Sequence, residues 1–465
     1  MADRSAPLDP ADDPSPDELI AARPFLSRHA MDGLVLEGVP LARIAHAIGT
    51  PTWVYGAATM RARCRSLLDA LRGTGLDVHA HYAVKANDHL AVLSLFAAEG
   101  LGADVVSEGE LRRARAAGVP AEQIVFSGVG KSVPALRLAI AEDIEQINAE
   151  SAEELEMISA LASAMGHTAR VALRVNPDVD AGTHEKISTG RAQDKFGIPY
   201  ADAAALYARA ATLPGIRPVG LAAHIGSQVE TLAPYRAAFG RLAELVHTLR
   251  ATGHAVETVD CGGGLGIPYR NQPVPRPEGL AGALRGAFHN LDVRVLVEPG
   301  RWLVGPAGLL LASVILVKQT EGTRFVVLDA GMNDLVRPAM YDAWHGIIPI
   351  SAVDLVGPLE PADVVGPICE SSDTFARQRR LPPLAPNACV AILDAGAYGA
   401  VMSSPYNARP RAAEVMVDGD RWTVIRARQA LDALWADERV PTATDTDPGT
   451  AADPGTAAPR TPAPA

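Results

Sequence analysis

A single lysine, Lys85, follows a strand-like run of β-branched and aromatic residues in the sequence HAHYAVKAN at 79–87. An amine at the mouth of a barrel is partly removed from water, which lowers its pKa and leaves it free to attack an aldehyde. Most lysines are solvated and inert, so a surface lysine at a strand end is the simpler interpretation of Lys85 alone. The hypothesis of a nucleophile depends on the residues that accompany it.

Three further groups follow strand-like runs in the same way: His224, the sequence CGGGLG at 261–266, and the sequence EPGR at 298–301. Each alone has an ordinary explanation as a core histidine, a flexible turn or a structural ion pair. Glycines, however, let backbone N–H groups approach a phosphate, because no Cβ blocks the way. Together these groups predict pyridoxal 5'-phosphate, with a Schiff base to Lys85, phosphate on the glycines and His224 stacked on the ring.

Glu298 indicates which reaction such a cofactor would support. A carboxylate beside the pyridine nitrogen keeps that nitrogen protonated, and a protonated ring draws electrons strongly from a carbanion. Decarboxylation needs this withdrawal, whereas an arginine in the same place would favour racemisation. The sequence therefore favours a decarboxylase.

The elements that position these residues alternate regularly along the chain. Segments at 88–99, 108–118, 151–165 and 234–252 have helical apolar spacing and separate short strand-like runs. Eight strand–helix units predict a (β/α)8 TIM-type barrel, whose chemistry lies at the carboxyl ends of its strands. The predicted strands are 78–84, 103–106, 124–127, 144–148, 171–176, 219–225, 256–260 and 293–298.

A second, all-β domain is predicted after the barrel. Segments 304–318, 324–329, 388–394 and 413–424 are β-rich, and VDGD at 417–420 is typical of a hairpin turn. The predicted boundaries are 54–300 for the barrel and 301–438 for the β domain, and the family resemblance described below implies that 31–53 also belong to the β domain. We expect disorder in the acidic, proline-rich extension 1–30 and in the tail 439–465, where DPGTAA occurs twice.

Composition limits the partners of the chain. The formal charge of -12 over 465 residues argues against nucleic acid and anionic membranes, although a local basic pocket is compatible with it. Four cysteines without paired spacing indicate neither a disulfide scaffold nor a metal site. No secretory signal or long apolar span is present, and these features predict a cytoplasmic protein.

The motifs between about 34 and 428 resemble the diaminopimelate decarboxylases, members of a barrel-fold pyridoxal-phosphate family that includes alanine racemase and ornithine decarboxylase. The motifs that carry the resemblance are HYAVKAN at 81–87, GADVVSEGEL at 102–111, IVFSGVGKS at 124–132, LRVNPDVDAGTHEKISTG at 173–190, KFGI at 195–198, HIGSQ at 224–228, DCGGGLG at 260–266, EPGR at 298–301, LDAGMNDLVRPAMYDAWH at 328–345, GPICESSD at 366–373 and DAGAYG at 394–399.

The resemblance implies a role for each site residue. Lys85 carries the cofactor and Cys369 donates a proton, so these two are the catalytic residues. Further cofactor contacts come from Asp104, His224, Ser227, Gly262, Gly263, Gly264, Glu298, Gly300, Arg301 and Tyr398. The substrate is bound by Arg301, Arg337, Tyr341, Glu370 and Tyr398. The resemblance also implies a homodimer with shared active sites, in which Cys369 reaches in from the partner subunit.

The charges of the site residues favour meso-2,6-diaminopimelate as the substrate, which would be converted to L-lysine and carbon dioxide. Its two carboxylates suit the guanidinium groups of Arg301 and Arg337, and Glu370 could accept the distal ammonium. A surface salt bridge is the alternative for Arg337. A racemase, a decarboxylase of basic amino acids and a catalytically inactive homologue remain alternatives for the whole chain. Glu298 argues against the first and the arginine pair against ornithine, while Lys85 and Cys369 argue against inactivity.

Overall fold

The computed structural model of the chain describes residues 13–182 and 195–440. Residues 183–190 of one quoted motif and most of the predicted tail 439–465 lie outside these ranges. None of the helices within them has the length and apolarity that crossing a bilayer requires.

The segment before the barrel is folded, which differs from the disorder predicted for 1–30. Ser15 caps the first helix by accepting from the Glu18 backbone while Glu18 accepts from the Ser15 N–H, a reciprocal cap that stabilises a helix start. The segment contains α1 (Pro16–Ala21), β1 (Leu26–His29), β2 (Gly33–Leu36), β3 (Val39–Pro40), α2 (Leu41–Ile48) and β4 (Thr52–Gly56). Residues 1–12 of the predicted extension lie outside the described ranges.

Eight parallel strands close into the predicted barrel, because the last strand pairs with the first through Val297 and Ala80. The helices between them are α3 (Ala57–Arg72), α4 (Leu90–Ala98), α5 (Glu108–Ala116), α6 (Val133–Ala141), α7 (Ala152–Met165), α8 (Ala203–Ala210), α9 (Ala233–Ala251) and α10 (Pro277–Phe288). The strands are β5 (Val78–Ala83), β6 (Gly102–Val105), β7 (Ile124–Phe126), β8 (Gln146–Ala149), β9 (Ala169–Asn176), β11 (Ile216–Ala222), β12 (Thr258–Asp260) and β13 (Arg294–Val297), and a short β10 (Ile198–Pro199) adds to β9.

Local sequence explains where several of these helices begin. Ser107, Ser132 and Ser151 each accept a hydrogen bond from a backbone N–H three residues later, at the starts of α5, α6 and α7. Such serine caps satisfy donors that a helix start leaves free. They fix the helices directly after the strand ends, so that the loops between them face one rim of the barrel.

A mostly antiparallel sheet forms the second domain, as predicted. It contains β14 (Gly308–Thr320), β15 (Thr323–Leu328), β16 (Ile347–Pro349), β17 (Glu360–Val365), β18 (Thr374–Leu381), β19 (Cys389–Ile392), β20 (Ala413–Asp418) and β21 (Arg421–Arg426), with the short helices α11 (Arg301–Val304) and α12 (Arg337–Tyr341). The predicted hairpin joins β20 to β21, where Gly419 has a φ of +65°. Sequence periodicity missed β16, β17 and β18.

The early strand β4 lies inside this second sheet, although the whole barrel separates it from its neighbours in sequence. It pairs antiparallel with β14 and parallel with β20. The Tyr55 hydroxyl donates to Glu414 Oε2 at 2.9 Å, and both side chains are buried. Leu34, Leu41 and Ile348 belong to an apolar cluster on this side of the molecule. The chain therefore leaves the sheet after β4, forms the barrel, and returns to the sheet at β14.

Candidate active site

Lys85 lies directly after β5, in a short 3-10 turn at the rim of the barrel. Its Nζ donates to Asp104 Oδ2 at 2.6 Å, and its side chain keeps 31% exposure while Asp104 is fully buried. The structure corrects the prediction of a lowered amine pKa. Burial does act to lower the pKa of Lys85, but the negative charges of Asp104 and then Glu298 outweigh burial and raise it.

Glu298 lines a small cavity together with Lys85 and His224, and this cavity has a volume of about 180 Å³. Burial, followed by the charges of Asp104 and Asp260, raises the pKa of Glu298 well above its ordinary value. Ser127 Oγ donates to Glu298 Oε1 at 3.3 Å. Burial and the two neighbouring carboxylates therefore disfavour the charged form of Glu298.

His224 and the glycine run approach each other behind this cavity. The Gly263 backbone N–H donates to His224 Nδ1 at 3.1 Å, so the Nδ1 atom is an acceptor and the imidazole is neutral. Burial, with the charges of Lys85 and Arg174, lowers the pKa of His224 well below its ordinary value. The ring is thus held as an uncharged group.

Close packing of the backbone requires glycine at 262, 263 and 264, whether or not the loop binds a phosphate. An added Cβ would lie 2.6 Å from the Ala223 oxygen at Gly262, 2.0 Å from the Glu298 oxygen at Gly263 and 2.3 Å from the Gly226 oxygen at Gly264. Gly262 and Gly264 also have φ values of +64° and +100°, which favour glycine. The loop after β12 can therefore lie flat against its two neighbouring loops.

Gly300 and Tyr398 confine the turn that carries Lys85. A Cβ at Gly300 would lie 3.1 Å from the side chains of Ala83 and Ala86. The Tyr398 backbone N–H donates to the Ala86 oxygen at 2.7 Å, and Tyr398 has a positive φ of 56°. Residues from the barrel and from the second domain thus hold the two sides of the lysine turn.

A second cavity, of about 460 Å³, adjoins the first at His224 and contains two guanidinium groups. Arg301 donates to Ser227 Oγ at 2.9 Å and to the Tyr269 hydroxyl at 2.7 Å. The Arg337 guanidinium lies 5.1 Å from the centre of the Tyr269 ring. Within the described residues no carboxylate forms a salt bridge with either arginine, so both remain able to bind an anion.

Arg337 and Tyr341 are the first and last residues of the short helix α12. Both side chains line the larger cavity, together with Tyr398. Burial lowers the pKa of Arg337, although the group stays charged at ordinary pH. Arg337 is buried, and no carboxylate among the described residues pairs with it. The alternative that Arg337 forms a surface salt bridge is therefore not supported.

Cys369 and Glu370 lie apart from these cavities in the single chain. Both are exposed, on a loop between β17 and β18. Glu370 Oε1 accepts from the Tyr406 hydroxyl and its Oε2 from Ser372 Oγ at 3.0 Å. The Cys369 N–H donates to Asn407 Oδ1 at 3.4 Å. One copy of the chain does not bring these two residues to Lys85.

Sequence reasoning missed several polar residues that support the site. Asn148 Nδ2 donates to Ser127 Oγ at 3.0 Å and to Asp260 Oδ2 at 2.9 Å, linking three strand ends. Arg174 binds Glu150 at 2.7 Å beside the smaller cavity. The barrel rule that chemistry collects at strand ends would have indicated Asn148 and Arg174. Tyr269, in a loop, carried no such signal.

Comparison with known families agrees with this arrangement. Residues 57–305 match the family model described as "Pyridoxal-dependent decarboxylase, pyridoxal binding domain". The match spans the barrel, with Lys85, His224, the glycine run and Glu298. The fold and the site therefore define the class of barrel-fold pyridoxal-dependent decarboxylases.

Individual relatives narrow the class. The diaminopimelate decarboxylase of Zymomonas mobilis is 47% identical over 409 residues, covering 87% of this chain and 96% of that protein. The crystal structure of diaminopimelate decarboxylase from Helicobacter pylori complexed with L-lysine has a TM-score of 0.82 at 38% identity, covering 86% of this chain and 99% of that chain. The corresponding enzyme from M. jannaschii, in co-complex with L-lysine, has a TM-score of 0.85 at 36% identity, covering 90% and 99%. The chain belongs to the diaminopimelate decarboxylase family.

Proposed function

We propose that this protein removes one carboxylate from meso-2,6-diaminopimelate to give L-lysine and carbon dioxide, using pyridoxal 5'-phosphate. The observation that carries the proposal is the pair of buried guanidinium groups, Arg301 and Arg337, which lie 6.0 and 5.1 Å from the centre of the Tyr269 ring in the cavity that adjoins the one lined by Lys85. A substrate with two carboxylates needs two such cationic sites. An amino acid with a cationic side chain would leave Arg337 facing a like charge.

The residues present fit the proposed cofactor. Lys85 offers a primary amine that is partly open to the cavity, and a pyridinium nitrogen would give the buried Glu298 carboxyl, whose pKa is raised, a cationic partner that favours its charged form. The charge of Arg301 beside Ser227 suits a phosphate, and the glycine loop would meet a phosphate without a Cβ in the way. We propose the remaining contacts from Asp104, His224, Gly300 and Tyr398 as the family resemblance implies.

The side chains of this protein have separate tasks in the proposed reaction. When bound, the cofactor withdraws electrons from the α-carbon of an attached amino acid, so that a bond at that carbon can break. Glu298 would supply negative charge to the ring nitrogen and sustain this withdrawal. The neutral His224 imidazole, which lines the same cavity, would shield the ring from water. Asp104 orients the Lys85 amine and stabilises its protonated form when it is released.

Substrate selection is proposed to depend on charge. Arg301 and Arg337 bind carboxylates, Tyr341 and Tyr398 close the cavity around the carbon chain, and Glu370 accepts the distal ammonium. The neutral thiol of Cys369 protonates the carbon that has lost its carboxylate. Because Cys369 and Glu370 are exposed in the single chain, we propose that they complete the active site of a partner subunit in a homodimer.

The reaction is tested by offering the purified protein and cofactor meso-diaminopimelate, with ornithine, arginine, lysine and each optical form of alanine as rivals. Evolved carbon dioxide and optical rotation are measured. The proposal expects carbon dioxide from diaminopimelate at the highest kcat/KM and no racemisation. Preferred turnover of a basic amino acid would refute the substrate, and inversion without carbon dioxide would indicate a racemase. An inactive homologue would turn over none of them.

The shared site is tested by mixing two inactive variants, Lys85→Ala and Cys369→Ala, after unfolding and refolding them together. In mixed dimers one of the two sites has both residues intact, so about a quarter of all sites regain activity after random pairing. Restored turnover on mixing supports the homodimer with shared sites. Two variants that stay inactive together, although differently tagged copies co-purify as mixed dimers, would place both residues in one subunit.

We propose a cytoplasmic location for this enzyme, in line with its few, unpaired cysteines.

A further inference from the structure

A buried histidine, His345, lies beneath Arg337 and determines which atoms can hold its guanidinium. His345 Nδ1 is 2.8 Å from the Leu393 backbone oxygen, which only accepts, so Nδ1 carries the proton. His345 Nε2 is 2.9 Å from Arg337 Nη1, which only donates, so Nε2 is the acceptor. The contacts are satisfied together by one state alone, the neutral ring protonated at Nδ1.

The surroundings of His345 preserve that neutral state. The residue is 1% exposed, and burial together with the charges of Arg337, Arg301 and Arg379 lowers its pKa well below the ordinary value. The edge of its ring packs on Tyr269, with ring centres 5.4 Å apart. A protonated ring would direct an N–H at the Arg337 N–H groups and lose the hydrogen bond. His345 is thus a fixed acceptor across the ordinary pH range.

The backbone of His345 is in turn fixed by the segment before the barrel. Arg379 Nη1 donates to the His345 backbone oxygen at 2.7 Å. Arg379 also forms a buried salt bridge with Asp13, at 2.9 Å, and Asp13 accepts from the Arg380 backbone N–H at 3.1 Å. Asp13 therefore connects the start of the described chain to the larger cavity through Arg379, His345 and Arg337.

We propose that His345 is a positioning residue that aims the Arg337 guanidinium at the distal carboxylate of the substrate, and that Asp13 supports it through Arg379. The inference rests on the proposed role of Arg337 in substrate binding. Without the acceptor, a buried guanidinium loses one of the contacts that fix its plane, and bidentate binding of a carboxylate depends on that plane. The loss should appear in substrate binding and not in the bond-breaking step.

The test compares His345→Leu, which removes both ring nitrogens, with His345→Gln, whose amide oxygen can still accept from Arg337. We expect His345→Leu to raise KM for meso-diaminopimelate about tenfold, the effect of one lost charge-assisted hydrogen bond, with little change in kcat. His345→Gln should recover most of the affinity, and both variants should keep the cofactor absorbance. An unchanged KM, or a loss confined to kcat, would overturn the proposal. If His345→Leu does not load cofactor, the test depends on His345→Gln, whose KM is expected to lie close to that of wild type. A KM of His345→Gln as high as that of Arg337→Met would overturn the proposal.

A double variant shows whether His345 acts through Arg337. Combining His345→Leu with Arg337→Met should raise KM no further than Arg337→Met alone, because the group that His345 positions is already gone. Additive effects would overturn the proposal, as would an Arg337→Met variant with unchanged KM. Failure of the wild-type protein to decarboxylate diaminopimelate would instead refute the proposed function, so the two failures are distinguishable.

The support from Asp13 is tested in the full chain with Asp13→Asn, which keeps a hydrogen-bond acceptor and removes the charge. We expect KM to rise about threefold without a change in kcat, since Arg379 then holds the His345 backbone less firmly. The matched control is Asp17→Asn on the same segment, whose salt bridge with Arg28 is exposed. Equal KM values for the two variants would exclude Asp13 from the proposal.

Discussion

The amine of Lys85 and the carboxylate of Asp104 form a hydrogen-bonded ion pair, with 2.6 Å between Nζ and Oδ2. The two residues come from neighbouring parallel strands, β5 and β6, whose register places Ala83 opposite Asp104. The pair explains why the amine remains charged although it is withdrawn from water. Before Lys85 can attack an aldehyde, it must give up a proton that Asp104 stabilises.

Replacing Asp104 with asparagine should therefore accelerate attachment of the cofactor at neutral pH. Burial lowers the pKa of Lys85, and Asp104 is the strongest opposing charge, so its removal lets that pKa fall. The measurement is the rate of cofactor attachment, followed by absorbance over a range of pH. Glu142→Gln, which removes a partly exposed carboxylate paired with Arg115, is the control. Identical pH profiles for Asp104→Asn and wild type would contradict the expectation.

Glu298→Gln should lower kcat about 100-fold while the cofactor remains attached. The glutamine keeps a similar volume but provides no negative charge to hold a proton on the ring nitrogen. Since the buried Glu298 carboxyl has a raised pKa, its charged form costs stability as pH rises. The cofactor-free variant should therefore melt at a higher temperature than wild type above neutral pH. Unchanged kcat would show that Glu298 does not act on the ring.

Gly263→Ala should destabilise the protein by more than about 2 kcal/mol and weaken cofactor binding, because a new Cβ meets backbone that cannot move aside. That Cβ would lie 2.0 Å from the Glu298 oxygen. Gly282→Ala is the matched control, since Gly282 lies within α10 and nothing lies within 4 Å of an added Cβ. The control should gain about 0.5–1 kcal/mol. Similar melting temperatures for both variants would argue against a packed glycine loop.

Asp334→Asn should stabilise the protein most at neutral and higher pH. Burial raises the pKa of Asp334 from 3.8 to about 6, against an opposing hydrogen bond from the Gly331 N–H. A raised pKa means that the stabilising contribution is complete at low pH and is lost as pH rises toward about 6. The melting temperature of Asp334→Asn should exceed that of wild type at about pH 7.5, and the difference should shrink near pH 5. A pH-independent difference would point to packing alone.

The strands and helices of the barrel were accessible from sequence because their signals are local. The predicted strands at 78–84 and 256–260 are confirmed as Val78–Ala83 and Thr258–Asp260. Lys85, His224 and Glu298 were expected at one rim because parallel strands bring their carboxyl ends together, and all three line one cavity. The strand assignments need only local sequence, whereas the hypothesis for Lys85 also needed His224, the glycine run and Glu298 further along the chain.

Long-range contacts explain what the sequence did not reveal. The direction of the Lys85 pKa depends on the distance to Asp104, which no pattern along the chain specifies. Tyr269 reaches the arginines from a loop, and His345 was quoted within a motif without a role. The segment at 13–30 was predicted to be disordered from its acidic, proline-rich composition. It is ordered in the structure, where Asp13 forms a buried salt bridge with Arg379 that composition does not reveal. Composition gives the residue types of a segment but not its tertiary contacts.

The position of β4 between β14 and β20 has a consequence for synthesis on the ribosome. The strand is translated before the barrel, but its parallel neighbour emerges after nearly all of the described chain, and the two are joined by Tyr55 and Glu414. Until then one edge of a buried, apolar strand has no partner, which exposes a nascent chain to aggregation. Pairing of β20 with β4 therefore completes the sheet only at the end of folding. A polypeptide terminated before residue 413 has all of its barrel residues but lacks the strand that covers this edge of β4.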